Sequence, residues 1–188
     1  MKALILFGPP GSGKGTQAQI LASKFKLVSV SIVDILKNEV AKNSELGVKV
    51  GEFLKKGVCV SDEIIFDLIR NFIELHKDSN GFVFDGFPRT IKQAEELKNL
   101  FNSFGISSVN VINLQVYENE VVKRLVQRAE NLGKSEDIEL IKNKLRNYEH
   151  TNSKILDFMC NNCGVFDING MGKIDEVNQN IVGALGVF

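Results

Sequence analysis

The segment Gly8-Pro-Pro-Gly-Ser-Gly-Lys-Gly-Thr16 places four glycines around one lysine, directly after an apolar run. A phosphate chain needs many hydrogen-bond donors at short range, which glycine backbone N–H groups and the start of a helix supply. Lys14 would reach the outer phosphates. The general motif has Ser or Thr after the lysine; here Gly15 intervenes, and Thr16 supplies the hydroxyl nearest a bound Mg²⁺. The order of strand, loop, lysine and helix predicts a phosphate-binding loop rather than an unliganded glycine loop.

Further charged residues follow other predicted elements. Asp85 ends an apolar run, where a carboxylate can hold Mg²⁺ directly or through water; the alternative is a cap for a helix that begins near Thr90. Arg89 comes four residues later. Arg124 and Arg128 lie four apart on one helical face and can converge on one phosphate chain, although such pairs are ordinarily surface charges. This set suits phosphoryl transfer, in which the protein mainly positions the reactants and neutralises charge.

The elements that position these residues alternate along the chain. Runs rich in branched and aromatic residues predict strands at 2–7, 81–84, 109–116 and 164–168, with a weaker one at 27–31. Helical spacing appears between them, with apolar faces formed by Ala18, Leu21, Ala22 and Phe25 and by Ile138, Ile141, Leu145 and Tyr148. The alternation predicts an α/β fold with a five-stranded parallel sheet covered on both faces. Ligands of such sheets bind at the carboxyl ends of the strands.

Composition bounds the class of partner. The chain has 188 residues with 44% hydrophobic content, enough for one core with a small appendage. The 23 lysine and arginine residues balance the 23 aspartate and glutamate residues. This charge balance favours a small-molecule ligand and argues against a nucleic-acid partner. The apolar run at residues 3–7 is too short for a signal peptide or a membrane span. Three cysteines suit a reducing compartment, so we expect a cytoplasmic protein without membrane attachment.

The phosphate-binding loop with Gln17, together with Asp85-Gly-Phe-Pro-Arg-Thr90 and Gln93, resembles the adenylate kinase family along nearly the full chain. The resemblance implies a three-layer sandwich of the P-loop NTPase type, and a monomer that converts ATP and AMP into two ADP with Mg²⁺. It also implies three parts. They are a core (residues 1–30, 61–128 and 138–188), a small helical domain that binds the nucleoside monophosphate (31–60) and a short lid (129–137).

The resemblance also implies roles for individual residues. ATP would contact Gly11, Ser12, Gly13, Lys14, Gly15, Thr16, Arg124, Arg128 and Gly170. AMP would contact Ile32, Lys37, Val58, Cys59, Val60, Gly86, Phe87, Pro88, Arg89 and Gln93, with a cis bond between Phe87 and Pro88. The catalytic cations would be Lys14, Arg89, Arg124, Arg128, Lys134 and Lys144. Thr16 and Asp85 would hold Mg²⁺, through water.

The sequence departs from the family pattern at several of these positions. The family usually places arginines where this chain has Lys134 (or Gly133, one residue away) and Lys144. It usually reads Ser-Thr-Gly-Asp, with an arginine three residues on, where this chain reads Ser-Ile-Val-Asp at 31–34 followed by Lys37. Lysine keeps the charge but loses the bidentate fork. We therefore predict a lower turnover and a raised KM for AMP.

Three alternative functions accompany this interpretation. A UMP/CMP kinase of the same superfamily is the nearest, although those enzymes usually carry asparagines at the positions of Thr90 and Gln93. A nucleotide-operated switch would need a guanine-reading Asn-Lys-x-Asp motif, and the sequence lacks one. A binder without catalysis is opposed by the retained cations. A structural zinc is also not expected, because the pair Cys160 and Cys163 has no second pair to complete four ligands.

Overall fold

The computed structural model describes residues 1–55, 60–135 and 137–186, without the side chains of residues 54 and 55. Its strands form one parallel sheet in the order β2-β3-β1-β4-β5. They are β1 (Lys2–Phe7), β2 (Val28–Val30), β3 (Gly81–Asp85), β4 (Ser108–Gln115) and β5 (Gly164–Asn169). The predicted five-stranded parallel sheet is confirmed, with every strand end within one residue of the prediction.

Helices connect the strands and flank the sheet. They are α1 (Lys14–Phe25), α2 (Ile32–Ala41), α3 (Glu45–Lys55), α4 (Asp62–Leu75), α5 (Ile91–Ser103), α6 (Glu118–Asn131), α7 (Ile138–Cys160) and α8 (Ile174–Leu185). Among the described residues, no helix is both long enough and apolar enough to cross a membrane.

The core lies on both faces of the sheet because alternate residues of each strand point in opposite directions. On one face Ile5 and Phe84 pack with residues of α4, α5 and α7, including Ile69, Leu97 and Ile155. On the other face the core consists of alternate strand residues with apolar residues of α1 and α8: Leu4, Leu6, Val83, Ala18, Leu21, Val177 and Ile181. This arrangement confirms the three layers predicted from the sequence.

Two helices differ from expectation at one end. Ile138 was expected on the apolar face of α7, but its side chain is 48% exposed, because the small cluster on that face begins at Ile141 and continues to Leu145. Helix α6 runs to Asn131, so residues 129–131 of the proposed lid are helical.

Candidate active site

The phosphate-binding loop joins the carboxyl end of β1 to the start of α1. Gly11 and Gly13 adopt left-handed conformations with φ of 81° and 94°, which favour glycine over other residues. A Cβ on Gly11 would lie 2.9 Å from Leu125 Cγ of α6, so that side of the loop has no room for a side chain. Gly13 is the N-cap residue of α1 and leaves the first N–H groups of the helix directed at the loop. The predicted strand-loop-helix context is confirmed.

Two cavities meet at this loop. The P-loop cavity has a volume of about 620 Å³ and is lined by Pro10, Gly11, Gly13, Lys14, Gly15, Thr16, Gln19, Asp85, Arg124, Leu125 and Arg128. The α7 cavity has about 460 Å³ and is lined by Leu6, Phe7, Gly8, Pro10, Lys14, Gly86, Pro88, Arg89, Lys144, Asn147, Tyr148, Thr151, Asn152 and Ile155. Pro10 and Lys14 line both cavities, so the Lys14 ammonium lies between two groups of cations, one in each cavity.

The Lys14 side chain is held by the loop itself. Its Nζ donates to the Pro9 carbonyl at 3.1 Å. Burial lowers the pKa of Lys14, the nearby Asp85 carboxylate opposes that change, and Arg89 adds to it. The charged form of Lys14 is therefore held in a site that partly desolvates it, which strengthens its interaction with a bound anion.

Asp85 lies at the carboxyl end of β3, beside Leu6 of β1. Burial raises its pKa, while Lys14 and Arg89 oppose the change and Asp34 adds to it. A Cβ on Gly15 would lie 3.1 Å from Asp85 Oδ2, which explains why glycine follows the lysine in this loop. The helix-cap alternative for Asp85 is wrong, because Thr90 itself caps α5 by accepting from the Gln93 N–H at 3.1 Å.

The donor set around Asp85 fits a magnesium ion that arrives with a phosphate. Asp85 and Thr16 face the same cavity. Across the described residues, no group of three or more His, Cys, Asp or Glu side chains could hold a metal. Mg²⁺ sites in phosphoryl-transfer enzymes typically use one or two protein ligands, with water and substrate phosphate oxygens completing the shell.

Arg124 connects three parts of the site. Its Nε donates to Glu120 Oε1 at 2.7 Å, and its two terminal nitrogens donate to the carbonyls of Ser12 at 3.4 Å and Gly170 at 3.0 Å. Arg128 lies one turn further along α6 and faces the same cavity. The structure thus brings the predicted arginine pair to the loop, with Gly170 buried beside it. Glu120 was not predicted from the sequence, although its spacing of four residues from Arg124 could have indicated it.

The segment after β3 faces the α7 cavity in part. Gly86, Pro88 and Arg89 line it, and Arg89 Nε donates to the Gly86 carbonyl at 3.0 Å. Phe87 is only 2% exposed and packs edge-on against Phe66, with ring centroids 5.6 Å apart, so its side chain belongs to the core. The predicted cis bond between Phe87 and Pro88 is confirmed.

Gln93 is fixed by two hydrogen bonds within the protein. Its Oε1 accepts from the Arg89 backbone N–H at 2.8 Å, and its Nε2 donates to Asp62 Oδ1 at 2.6 Å. The residue is 7% exposed. Asp62 was not predicted as the partner of Gln93, because a separation of 31 residues leaves no local pattern to indicate it.

Several predicted residues lie away from these cavities. Lys37 on α2 and Lys134 after α6 are exposed, Ile32 is half-buried at the start of α2, and none of the three lines either cavity. Val60 is buried in the core. Val58 and Cys59 lie outside the described residues.

Two buried hydroxyls near Gly8 were not identified from the sequence. The Ser12 and Tyr148 hydroxyl oxygens are enclosed and form no hydrogen bond of ordinary geometry with any of the described residues. A Cβ on Gly8 would meet Ser12 Oγ at 2.5 Å, so glycine is required there. Burial raises the pKa of the Tyr148 phenol, against the opposing effects of the Gly8 backbone and the Asn152 side chain. The Tyr148 hydroxyl therefore remains neutral at physiological pH.

Comparison with known proteins identifies the protein family to which this chain belongs. The family model described as adenylate kinase matches residues 6–163. The chain belongs to the adenylate kinase family. A protein named adenylate kinase from Parabacteroides distasonis is 38% identical over 178 residues, 94% of each chain. One from Maricaulis maris is 39% identical over 183 residues, 97% of each chain, and one from Trichodesmium erythraeum is 37% identical over 186 residues, 96% of each chain.

Membership in the adenylate kinase family confirms the predicted class of activity. The chain is a nucleoside monophosphate kinase, a phosphotransferase of a family that converts ATP and AMP into two ADP. The P-loop, the parallel sheet and the two adjoining cavities are consistent with this class of reaction. The alternative of a nucleotide-operated switch is therefore wrong.

Proposed function

We propose that the P-loop cavity binds the phosphates of ATP and that the α7 cavity binds the phosphate of AMP, with direct transfer of the terminal phosphoryl group between them. The observation that carries this proposal is the position of Lys14, which lines both cavities. One ammonium at the boundary can accompany the charge of the phosphoryl group as it moves from donor to acceptor. Such a site needs no covalent chemistry from the protein.

The other cations divide between the two nucleotides. Arg124 and Arg128 would neutralise the ATP phosphates, and Arg89 and Lys144 would hold the AMP phosphate as the attacking group. Hydrogen bonds from Arg124 to the Ser12 and Gly170 carbonyls place its guanidinium before substrate arrives. Preorganisation of this kind lowers the cost of reaching the transition state.

Magnesium would bind between the ATP phosphates and the pair Thr16 and Asp85, with water in the remaining positions. When bound, the ion supplies charge neutralisation across the phosphate oxygens. The position of Asp85 at the end of β3 supports this role, as does the lack of a side chain at Gly15 beside its carboxylate.

We further propose that residues 31–60 and 129–137 close over the substrates from either side of the core. Lys37 and Lys134 are exposed and line neither cavity, and closure would bring their charges toward the phosphates. Closure would keep water, a smaller acceptor than AMP, from the terminal phosphate. Balanced charge and few cysteines support a monomeric cytoplasmic enzyme whose substrates are ATP, AMP and ADP.

Lys144 provides a test of the acceptor-phosphate assignment. We expect Lys144→Arg to raise kcat several-fold, on the order of 1 kcal/mol, because a guanidinium can hold a phosphate with two hydrogen bonds where an ammonium acts as a point charge. Steady-state rates with ATP and AMP measure this. Lys142→Arg, two residues earlier on α7 and outside the α7 cavity, is the control. A fall in kcat for Lys144→Arg would contradict the assignment.

The preferred acceptor follows from Gln93. Its amide can donate to one ring nitrogen of adenine and accept from the exocyclic amine, a pairing that uracil and guanine leave unmatched. We expect AMP to be preferred over UMP, CMP and GMP in kcat/KM. Gln93→Ala should reduce that preference by about 1–3 kcal/mol, the usual cost of leaving a polar group unpaired.

The same comparison tests the second candidate, a pyrimidine monophosphate kinase. Ile32 favours it, because a hydrocarbon side chain stands where the family usually offers a hydroxyl to the base. A preference of the unmodified protein for UMP or CMP would show that Ile32 marks a different acceptor and that Gln93 does not read adenine.

A further inference from the structure

The Gln93 amide has a fixed orientation, and Asp62 is one of the two groups that fix it. Gln93 Nε2 donates to Asp62 Oδ1 at 2.6 Å, and Gln93 Oε1 accepts from the Arg89 backbone N–H at 2.8 Å. A carboxylate oxygen only accepts and a backbone N–H only donates. A rotation of the amide by 180° would therefore set oxygen against oxygen and N–H against N–H, so both partners select the same orientation.

Within the described part of the chain, this orientation leaves one unused group on each end of the amide. The Nε2 nitrogen carries a second hydrogen, and Oε1 has a second lone pair. A 6-aminopurine presents a donor at its amino group next to an acceptor at N1, which is complementary to that pair. A 6-oxopurine presents an acceptor next to an N1–H donor, which matches only the rotated amide.

We infer that Asp62 is a positioning residue that makes the acceptor site selective for 6-aminopurine over 6-oxopurine monophosphates, by holding the Gln93 amide in one orientation. The inference rests on the proposed role of Gln93 as the reader of the acceptor base. It assigns the selectivity for the acceptor base to Asp62, which lies 31 positions from Gln93 in the sequence and need not touch the substrate.

A purely structural role for Asp62 makes a different prediction. Asp62 is the first residue of α4, where an acidic side chain interacts favourably with the helix dipole. Glu63 lies in the same first turn and is exposed. Loss of either charge would affect the helix similarly, whereas loss of the Asp62 carboxylate alone would free the Gln93 amide.

The test compares AMP with IMP, which differs from AMP only in having the 6-oxo pattern and so avoids the additional amino group of GMP. We expect the unmodified protein to prefer AMP in kcat/KM by at least about 100-fold. Asp62→Asn should reduce that ratio by about tenfold, since asparagine can donate to a rotated Gln93 while the Arg89 N–H still opposes the rotation. The change should appear in the KM for the monophosphate and leave the KM for ATP unchanged.

Glu63→Gln is the matched control, and its AMP to IMP ratio should equal that of the unmodified protein. Asp62→Ser is a second variant, tolerated at a helix start, with the same expected loss, and calorimetric titration of AMP and IMP without ATP gives a readout independent of turnover. An unchanged ratio in both Asp62 variants would overturn the inference. Equal use of AMP and IMP by the unmodified protein would instead show that Gln93 does not read the base, which would refute the proposed role of Gln93 and with it the inference.

Discussion

Lys14→Met is expected to lower the rate of ADP formation by about a thousandfold without lowering thermal stability. The loss of activity follows from the position of Lys14 on both cavities, where its ammonium would serve donor and acceptor phosphates at once. The retained stability follows from burial, which lowers the pKa of Lys14 and so disfavours the charged form in the folded state. Methionine has a similar shape without the charge.

The difference in stability between Lys14→Met and the unmodified protein depends on pH. Because the pKa of Lys14 is lower in the folded state, its charge costs stability at pH values below that folded pKa. The cost disappears as the pH rises through the ordinary lysine pKa of 10.5. Lys14→Met should therefore unfold at a temperature equal to or above that of the unmodified protein at neutral pH, and this difference should shrink in alkaline buffer.

Lys24→Met is the control for Lys14→Met. Lys24 is exposed in the last turn of α1, and its variant should retain full activity. A variant with more than about a tenth of normal turnover would contradict the role assigned to Lys14.

Asp85→Asn is expected to raise the unfolding temperature and to lower turnover by about a hundredfold or more. Burial raises the pKa of Asp85 more than the cations Lys14 and Arg89 lower it, so the ionised carboxylate is destabilising in the free protein. This cost is present above the folded pKa and vanishes below the ordinary value of 3.8. The stability gained by the variant should therefore be largest at neutral pH and shrink in acid.

Asp78→Asn is the matched control for Asp85→Asn, because Asp78 is exposed and lies before the opposite end of β3. It should leave turnover unchanged. Differential scanning calorimetry across the acid range, together with rates at saturating Mg²⁺, separates the two effects. A destabilised Asp85→Asn protein would show that the carboxylate is paired in the folded state, contrary to its raised pKa.

The parts of this molecule that could be predicted from sequence are those set by local patterns. Buried strands such as β1 read as short apolar runs, and the P-loop is a contiguous motif whose glycines have individual steric reasons. Arg124 and Arg128 share a helical face, so their convergence follows from helix geometry. Asp85 was predictable because it ends a strand, and strand ends meet at one edge of a parallel sheet.

The parts that could not be predicted depend on contacts between distant segments. The hydrogen bond between Asp62 and Gln93 joins α4 to α5, and neither residue carries a local sign of the other. The enclosed Tyr148 hydroxyl near Gly8 arises from the packing of α7 against the loop. Ile138 follows the helical periodicity of α7 but is exposed, because the apolar cluster on that helix begins only at Ile141. Features of this kind can be identified only from the tertiary structure.

Direct transfer between two nucleotides at Lys14 is the central claim, and phosphorus NMR of one reaction mixture tests it most directly. The unmodified protein is mixed with ATP, AMP and Mg²⁺, and the phosphorus signals of ATP, ADP and inorganic phosphate are followed together. We predict two ADP formed for each ATP consumed, no inorganic phosphate, and no loss of ATP when AMP is omitted. Release of inorganic phosphate at a rate independent of AMP would contradict the account, because the two cavities would then not exchange a phosphoryl group.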